Sequence, residues 1–210
     1  MNSTEAANEI IKAIQEWSAD KPRLVVAIDG IPGVGKSTIL NLMAGKVEAL
    51  LVHVDDFLTP LDHRQALVDK GVSPEEFVAG LYDYADIKNL VEQYKKGEQN
   101  IITTLAYKSG KRQIEKTYDL TKPILVIEGT YMFDSKYFNN LWDKRIYLDG
   151  DEEEIRQRRV ERVKGMMGEN YIPEDDPRSF FGISFKALKE YQERCQPKEK
   201  ADLVLTISPN

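Results

Sequence analysis

Cysteine is nearly missing from this sequence. Cys195 is the only one in 210 residues, so no intramolecular disulfide can form, which is compatible with a reducing cytoplasm. Long apolar runs are missing too, and none approaches the roughly 18 residues a membrane helix requires. The opening stretch, MNSTEAANEIIKAIQEW, is polar and acidic and lacks the apolar centre of a signal peptide. Nor is there an excess of positive charge. The chain has 29 Lys and Arg against 35 Asp and Glu, a net charge of -6 that argues against a generalised grip on nucleic acid. Of the two histidines, His53 lies inside an apolar run and reads as packed rather than catalytic, and His63 has no evident partner. No internal repeat or low-complexity tract is visible. These absences predict a cytoplasmic protein whose partners include neither membrane nor nucleic acid; a homo-oligomer stays open. What is present, 41% apolar and 30% charged residues, fits a folded globular chain, read as a single domain over residues 1–210.

Short apolar runs alternate with helical patterns. Ser3 or Thr4 can cap a first helix with the apolar stripe Ile10, Ile11, Ile14 and Trp17. Residues 24–28, 50–54, 124–127, 145–148 and 203–207 read as buried strands. Helices are predicted over 37–46, from Pro74, and over 86–96, 152–164 and 180–192. Residues 101–107 and 116–120 flank SGKR as a hairpin. Strands alternating with helices predict an α/β fold with a parallel sheet.

The segment GIPGVGKS, directly behind LVVAID, satisfies the G-x-x-x-x-G-K-[ST] pattern through Gly30, Gly35, Lys36 and Ser37. The chemistry is anion binding. Glycines such as Gly33 permit turns that aim successive N–H groups of Gly33, Val34, Gly35 and Thr38 at phosphate oxygens. The following helix adds the positive end of its dipole. Lys36 supplies a point charge to the β- and γ-phosphates, and Ser37 a hydroxyl to Mg²⁺. With glycine near 7% of residues, chance yields the pattern in on the order of one chain in a hundred of this length. The strand before and helix after sharpen the signal, and the loop is expected to bind ATP.

Two acids stand where buried strands end: Asp55 in HVDDFL and Glu128 in VIEGTYMF. Ligands bind at that edge of open α/β sheets. Phosphoryl transfer to an alcohol needs one or two carboxylates at Mg²⁺ and a base for the hydroxyl proton. Asp55 fits the base and Glu128 the metal, although strand-end acids also serve as helix caps. Asp56 reads as a hydrogen-bonding residue of the turn. DEEEIRQRRVERVK, residues 151–164, starts acidic and ends basic. It is either a solvated surface helix or a weakly anchored lid whose Arg159 and Arg162 close on the phosphates, with hinge freedom at Gly165 and Gly168.

GIPGVGKST, VDDFL, VIEGTYMF, RRVER and ADLVL, in this order, resemble the uridine kinase and phosphoribulokinase group of P-loop kinases. The resemblance implies a nucleoside-monophosphate-kinase-like five-stranded parallel sheet flanked by helices, with a substrate-binding insertion at about 57–122 and a lid at about 150–178. It also implies Asp55 as base and metal aid, Glu128 at Mg²⁺, and Arg159 and Arg162 as lid arginines. Asp83 maps loosely onto an acid that holds sugar hydroxyls. In the base-reading hairpin Tyr107 survives, but Lys108 replaces an Asp and no His follows. Lys108, Lys111 and Arg112 fit either a solvated tip or an acidic acceptor. The expected activity is ATP-dependent phosphorylation of a small-molecule alcohol such as a nucleoside. The runner-up acceptor bears a carboxylate or phosphate. Rival classes are a non-catalytic nucleotide-binding module and a GTP switch, for which no N-K-x-D stretch is found.

Overall fold

Every residue of β1 (Leu24–Gly30) is buried. In this computed structural model, which describes residues 1–106 and 112–208, β1 is the middle strand of a five-stranded sheet. Across the sheet run β2 (Ala49–His53), β5 (Ile124–Glu128), β1, β6 (Lys144–Asp149) and β7 (Leu203–Thr206), all paired in parallel. The five strands expected from apolar runs are these five, each within two residues of its predicted ends.

Alternation along each strand sorts side chains into two cores. Leu24, Val26 and Ile28 of β1 join Ile124 and Val126 of β5 in a core beneath α1 (Ser3–Ser18) and α2 (Lys36–Met43). Val25 and Ala27 join Val52, Leu125 and Ile127 on the other face. That face is covered by α4 (Pro74–Ala79), α5 (Tyr84–Lys96) and α8 (Phe180–Cys195). The same parity places Glu128 and His53 on the α2 face, and Asp29 on the α8 face.

Residues 57–122 add α3 (Leu61–Asp69), α4, α5 and an antiparallel pair, β3 (Asn100–Ala106) with β4 (Arg112–Asp119). The pattern had not predicted α3, whose apolar spacing is weak and which buries only Val68. Later come the short α6 (Ser135–Phe138), also not predicted, and α7 (Glu152–Met167).

Several boundaries are corrected. Asn2, not Ser3 or Thr4, caps α1: its Oδ1 accepts from the Thr4 and Glu5 amides at 2.9 Å each, while Glu5 returns a bond to the Asn2 amide at 3.0 Å. α2 ends at Met43, short of Lys46. α7 continues through Gly165, so that glycine is no hinge, and the chain leaves the helix at Gly168 with φ 52. α7 is also better anchored than expected. Ile155 and Val163 are buried, and Arg156 pairs with Glu174 at 2.6 Å. Among the described residues no helix is long and apolar enough to cross a membrane. Cys195 is buried on α8, where burial pushes its thiol pKa up, in keeping with an inert residue.

Candidate active site

The glycine loop leaves the centre of the sheet between β1 and α2. Gly35 has φ 107, a left-handed conformation that costs a glycine little, and it is the residue from which α2 starts. Gly30 meets a different limit. A Cβ there would lie 2.5 Å from the backbone oxygen of Leu148 on neighbouring β6. Lys36 is buried and folds back across the loop, donating from Nζ to the carbonyls of Gly30 at 2.7 Å and Ile31 at 3.1 Å. Burial lowers its pKa, opposed by the charges of Glu128, Asp29 and Asp55.

These residues open onto a cleft of about 470 Å³. Gly33, Gly35, Lys36, Ser37 and Thr38 line it, as predicted for nucleotide contacts, together with Asp55, Glu128, Arg159 and Arg162. The predicted base, metal and lid positions thus come together from the turn after β2, the end of β5 and α7. Gly30 and Val34 do not line it. Val34 is buried beneath the loop, and its N–H donates to Ile31 O at 3.2 Å, so that amide already serves the loop's own turn.

β2 ends at His53, and Val54–Phe57 forms one 3₁₀ turn that separates the two aspartates. Asp55 opens to the cleft, where loss of water and the charge of Glu128 raise its pKa against the pull of Lys36. Asp56 turns to the hairpin and accepts from Lys116 Nζ at 2.6 Å and Tyr118 OH at 3.0 Å. Glu128 is buried, and one of its oxygens, Oε1, accepts from Ser37 Oγ at 2.8 Å and pairs with His53 Nδ1 at 2.6 Å. Burial alone would raise the Glu128 pKa, but His53, Lys36 and Ser37 outweigh it and hold the carboxyl below its usual range. The same pairing raises the pKa of His53, against its own burial. His53, read from the sequence as packed rather than catalytic, thus contacts the predicted metal position, a link the sequence did not reveal. Its register opposite Glu128 requires β2 and β5 to be neighbours, which no local pattern reveals.

The oxygen atoms of Ser37, Asp55 and Glu128 suit Mg²⁺, a hard cation. Among the described residues no group of three or more His, Cys, Asp and Glu could hold a metal by itself. A Mg²⁺ bound largely through phosphates and water needs no such group.

From α7, Arg159 enters the cleft between the rings of Phe181 and Phe185, each centred 5.0 Å from its guanidinium carbon. Its Nη2 donates to Ser184 Oγ at 3.2 Å, and its buried Nη1 has no partner among the described residues. Arg162 is exposed on the same wall.

Sequence reasoning missed the far end of the cleft. Leu58, Phe77, Leu81, Tyr82 and Phe180 form an apolar wall there, and Arg64 of α3 joins it, with Nε donating to Thr59 O at 3.0 Å. Asp83, expected at the sugar hydroxyls, caps α5 by accepting from the Asp86 amide at 3.1 Å and does not line the cleft. Tyr107 lies outside the described residues, as do Lys108 and Lys111. Arg112 opens β4, but its side chain is likewise outside them. Asp29, not singled out from the sequence, is fully buried behind the loop. It accepts from the Gly30 amide at 2.6 Å, the Phe133 amide at 3.3 Å and the Tyr191 hydroxyl.

Known proteins resemble this chain in sequence and fold. The sequence model of the phosphoribulokinase / uridine kinase family matches residues 25–171. Human nicotinamide riboside kinase 1 is 22% identical over 173 residues, covering 82% of this chain and 78% of the relative. The uridine kinase of Borrelia duttonii is 28% identical over 148 residues, 69% of each chain. Among solved structures, a possible uridine kinase from Bacillus stearothermophilus superposes with a TM-score of 0.69 at 20% identity, covering 96% of this chain and 97% of that one. Phosphoribulokinase from Rhodobacter spheroides gives 0.61 at 14% identity, covering 89% and 71%. With its phosphate loop, strand-end acids and matched sequence model, the chain belongs to the phosphoribulokinase / uridine kinase family and is an ATP-dependent kinase of small-molecule hydroxyl groups.

Proposed function

We propose that the acceptor hydroxyl is presented to Asp55 at the junction between the phosphate loop and the apolar end of the cleft. The acceptor oxygen attacks the γ-phosphorus of ATP, the bond from that phosphorus to the β–γ bridging oxygen breaks, and the hydroxyl proton passes to Asp55. Lys36 and the amides of Gly33, Gly35 and Thr38 hold the phosphates, and Arg159 and Arg162 stabilise the charge of the transferring group. Ser37, Glu128 and Asp55 would hold Mg²⁺, which supplies charge neutralisation at the phosphates. Residues 57–122 act as the acceptor-binding insertion and about 150–178 as the lid. The observation that carries this reading is one cleft lined by Lys36, Asp55 and Glu128, three residues far apart in sequence.

The names of the curated relatives supply the first acceptor class, a nucleoside such as uridine or nicotinamide riboside. A second reading, an alcohol bearing a carboxylate or phosphate, is favoured by Arg64. Its guanidinium lies in an otherwise apolar wall, 5.9 Å from the Phe180 ring centre. A guanidinium on the cleft wall can also pair with an anionic group on the acceptor.

The test is ADP release from ATP and Mg²⁺ across nucleosides, pantothenate, glycerate and sugar phosphates. At least one acceptor should stimulate release. The Asp55→Asn enzyme should then lose roughly 10²- to 10⁴-fold in kcat, the usual scale for a general base, while still binding ATP. ATP binding with no acceptor-dependent release would instead identify a non-catalytic module. Arg64→Gln separates the acceptor classes. With an anionic acceptor KM should rise by roughly tenfold, the scale of one lost charge-assisted hydrogen bond. An unchanged KM, with nucleosides as the best substrates, would discard the second reading.

A further inference from the structure

His53 and Glu128 face each other in the parallel register of β2 and β5, and strand parity turns both side chains toward the start of α2. The parallel pairing of β2 and β5 sets that spacing, and their exits are closely packed: a Cβ added to Gly129 would lie 2.2 Å from Val54 Cγ1. The result is a carboxylate with its two oxygens in different situations. Oε1 is engaged by both His53 Nδ1 and Ser37 Oγ, and no hydrogen bond engages Oε2 among the described residues. Ser37 has a second duty, because its hydroxyl belongs to the phosphate loop and its oxygen would also ligate a metal. His53 does not line the cleft and is the partner dedicated to the carboxylate. His53 itself is held in a charged frame, with Asp56 and Lys116 nearby.

We infer that His53 is a positioning residue: its Nδ1–H clamps Glu128 Oε1 and so presets the carboxylate for the divalent cation that accompanies the nucleotide. The inference rests on the kinase reading for the presence of that cation. His53 does not touch substrate and takes no proton from it. Its action is that of an outer partner which orients a ligand, a class of contact whose loss weakens metal binding without removing a ligand.

The experiment is direct Mn²⁺ binding, read by electron paramagnetic resonance, to the full chain with a non-hydrolysable ATP analogue. His53→Ala should weaken Mn²⁺ affinity roughly tenfold or more, the scale of lost outer-partner contacts. Analogue affinity measured without metal should be unchanged. His53→Asn, whose amide N–H can stand where Nδ1–H does, should recover most of the loss. Wild-type Mn²⁺ affinity in His53→Ala would overturn the inference. An equal loss of metal-free analogue affinity would overturn it too, since that marks a merely structural role. If His53→Ala does not fold, His53→Asn is compared with His53→Leu, and equal Mn²⁺ affinity in those two counts against the clamp. Absence of Mn²⁺ binding by the wild-type protein with the analogue would overturn the kinase reading's metal site, and the clamp with it.

Discussion

Asp29 is a buried side chain whose ionisation links the stability of the fold to pH. Burial raises its pKa from 3.8 to about 6, against the opposing pull of Tyr191, Lys36 and the Gly30 and Phe133 amides. The folded chain therefore holds this proton more tightly than the unfolded chain does. The resulting stabilisation is complete below about pH 4 and is lost as the pH rises through about 6. Asp29→Asn should remove that dependence. Urea unfolding at pH 4.5 and pH 7 should show the wild type losing on the order of 2 kcal/mol relative to the variant over that interval. Parallel pH profiles for the two proteins would show that Asp29 is ionised throughout. The cleft residues differ in how legible they were. Lys36 and Ser37 are fixed by spacing within eight residues, whereas Arg64 and His53 acquire meaning only from partners far along the chain.

At the scale of elements, α7 and α8 act as a pair. Phe181 and Phe185 of α8 hold the Arg159 guanidinium, Ser184 accepts from its Nη2, and Nη1 is left buried without a partner among the described residues. Such a donor is costly to leave unmade, and phosphate oxygens would satisfy it. Arg159→Ala should thus lower kcat on the order of 10²-fold, as loss of one preorganised donor does elsewhere, without a drop in melting temperature. Steady-state kinetics beside a thermal melt would check both, and an unchanged kcat would take Arg159 out of the chemistry. The helix itself was readable from the order of its charges, but its anchorage was not. Ile155 and Val163 reveal their burial only against the sheet and its neighbours. α3 was missed for the complementary reason: it buries little, so its sequence carries almost no periodic signal.

Across the whole molecule, α8 links three parts of the cleft. Tyr191 reaches the carboxylate behind the phosphate loop, Ser184 and two phenylalanines hold Arg159, and Phe180 lies near Arg64 at the apolar end of the cleft. The sequence by itself determined the five buried strands, the phosphate loop and the charge polarity of α7. Each of these depends on residues close together in the chain, through alternation, turn chemistry or the helix dipole. Only the tertiary structure decided that β5 lies between β1 and β2. That order makes Glu128 the neighbour of both Ile28 and His53 and brings it to Ser37. Strand order is set by how the helices share two faces of one sheet, and a short apolar run carries no record of which other run it will pair with.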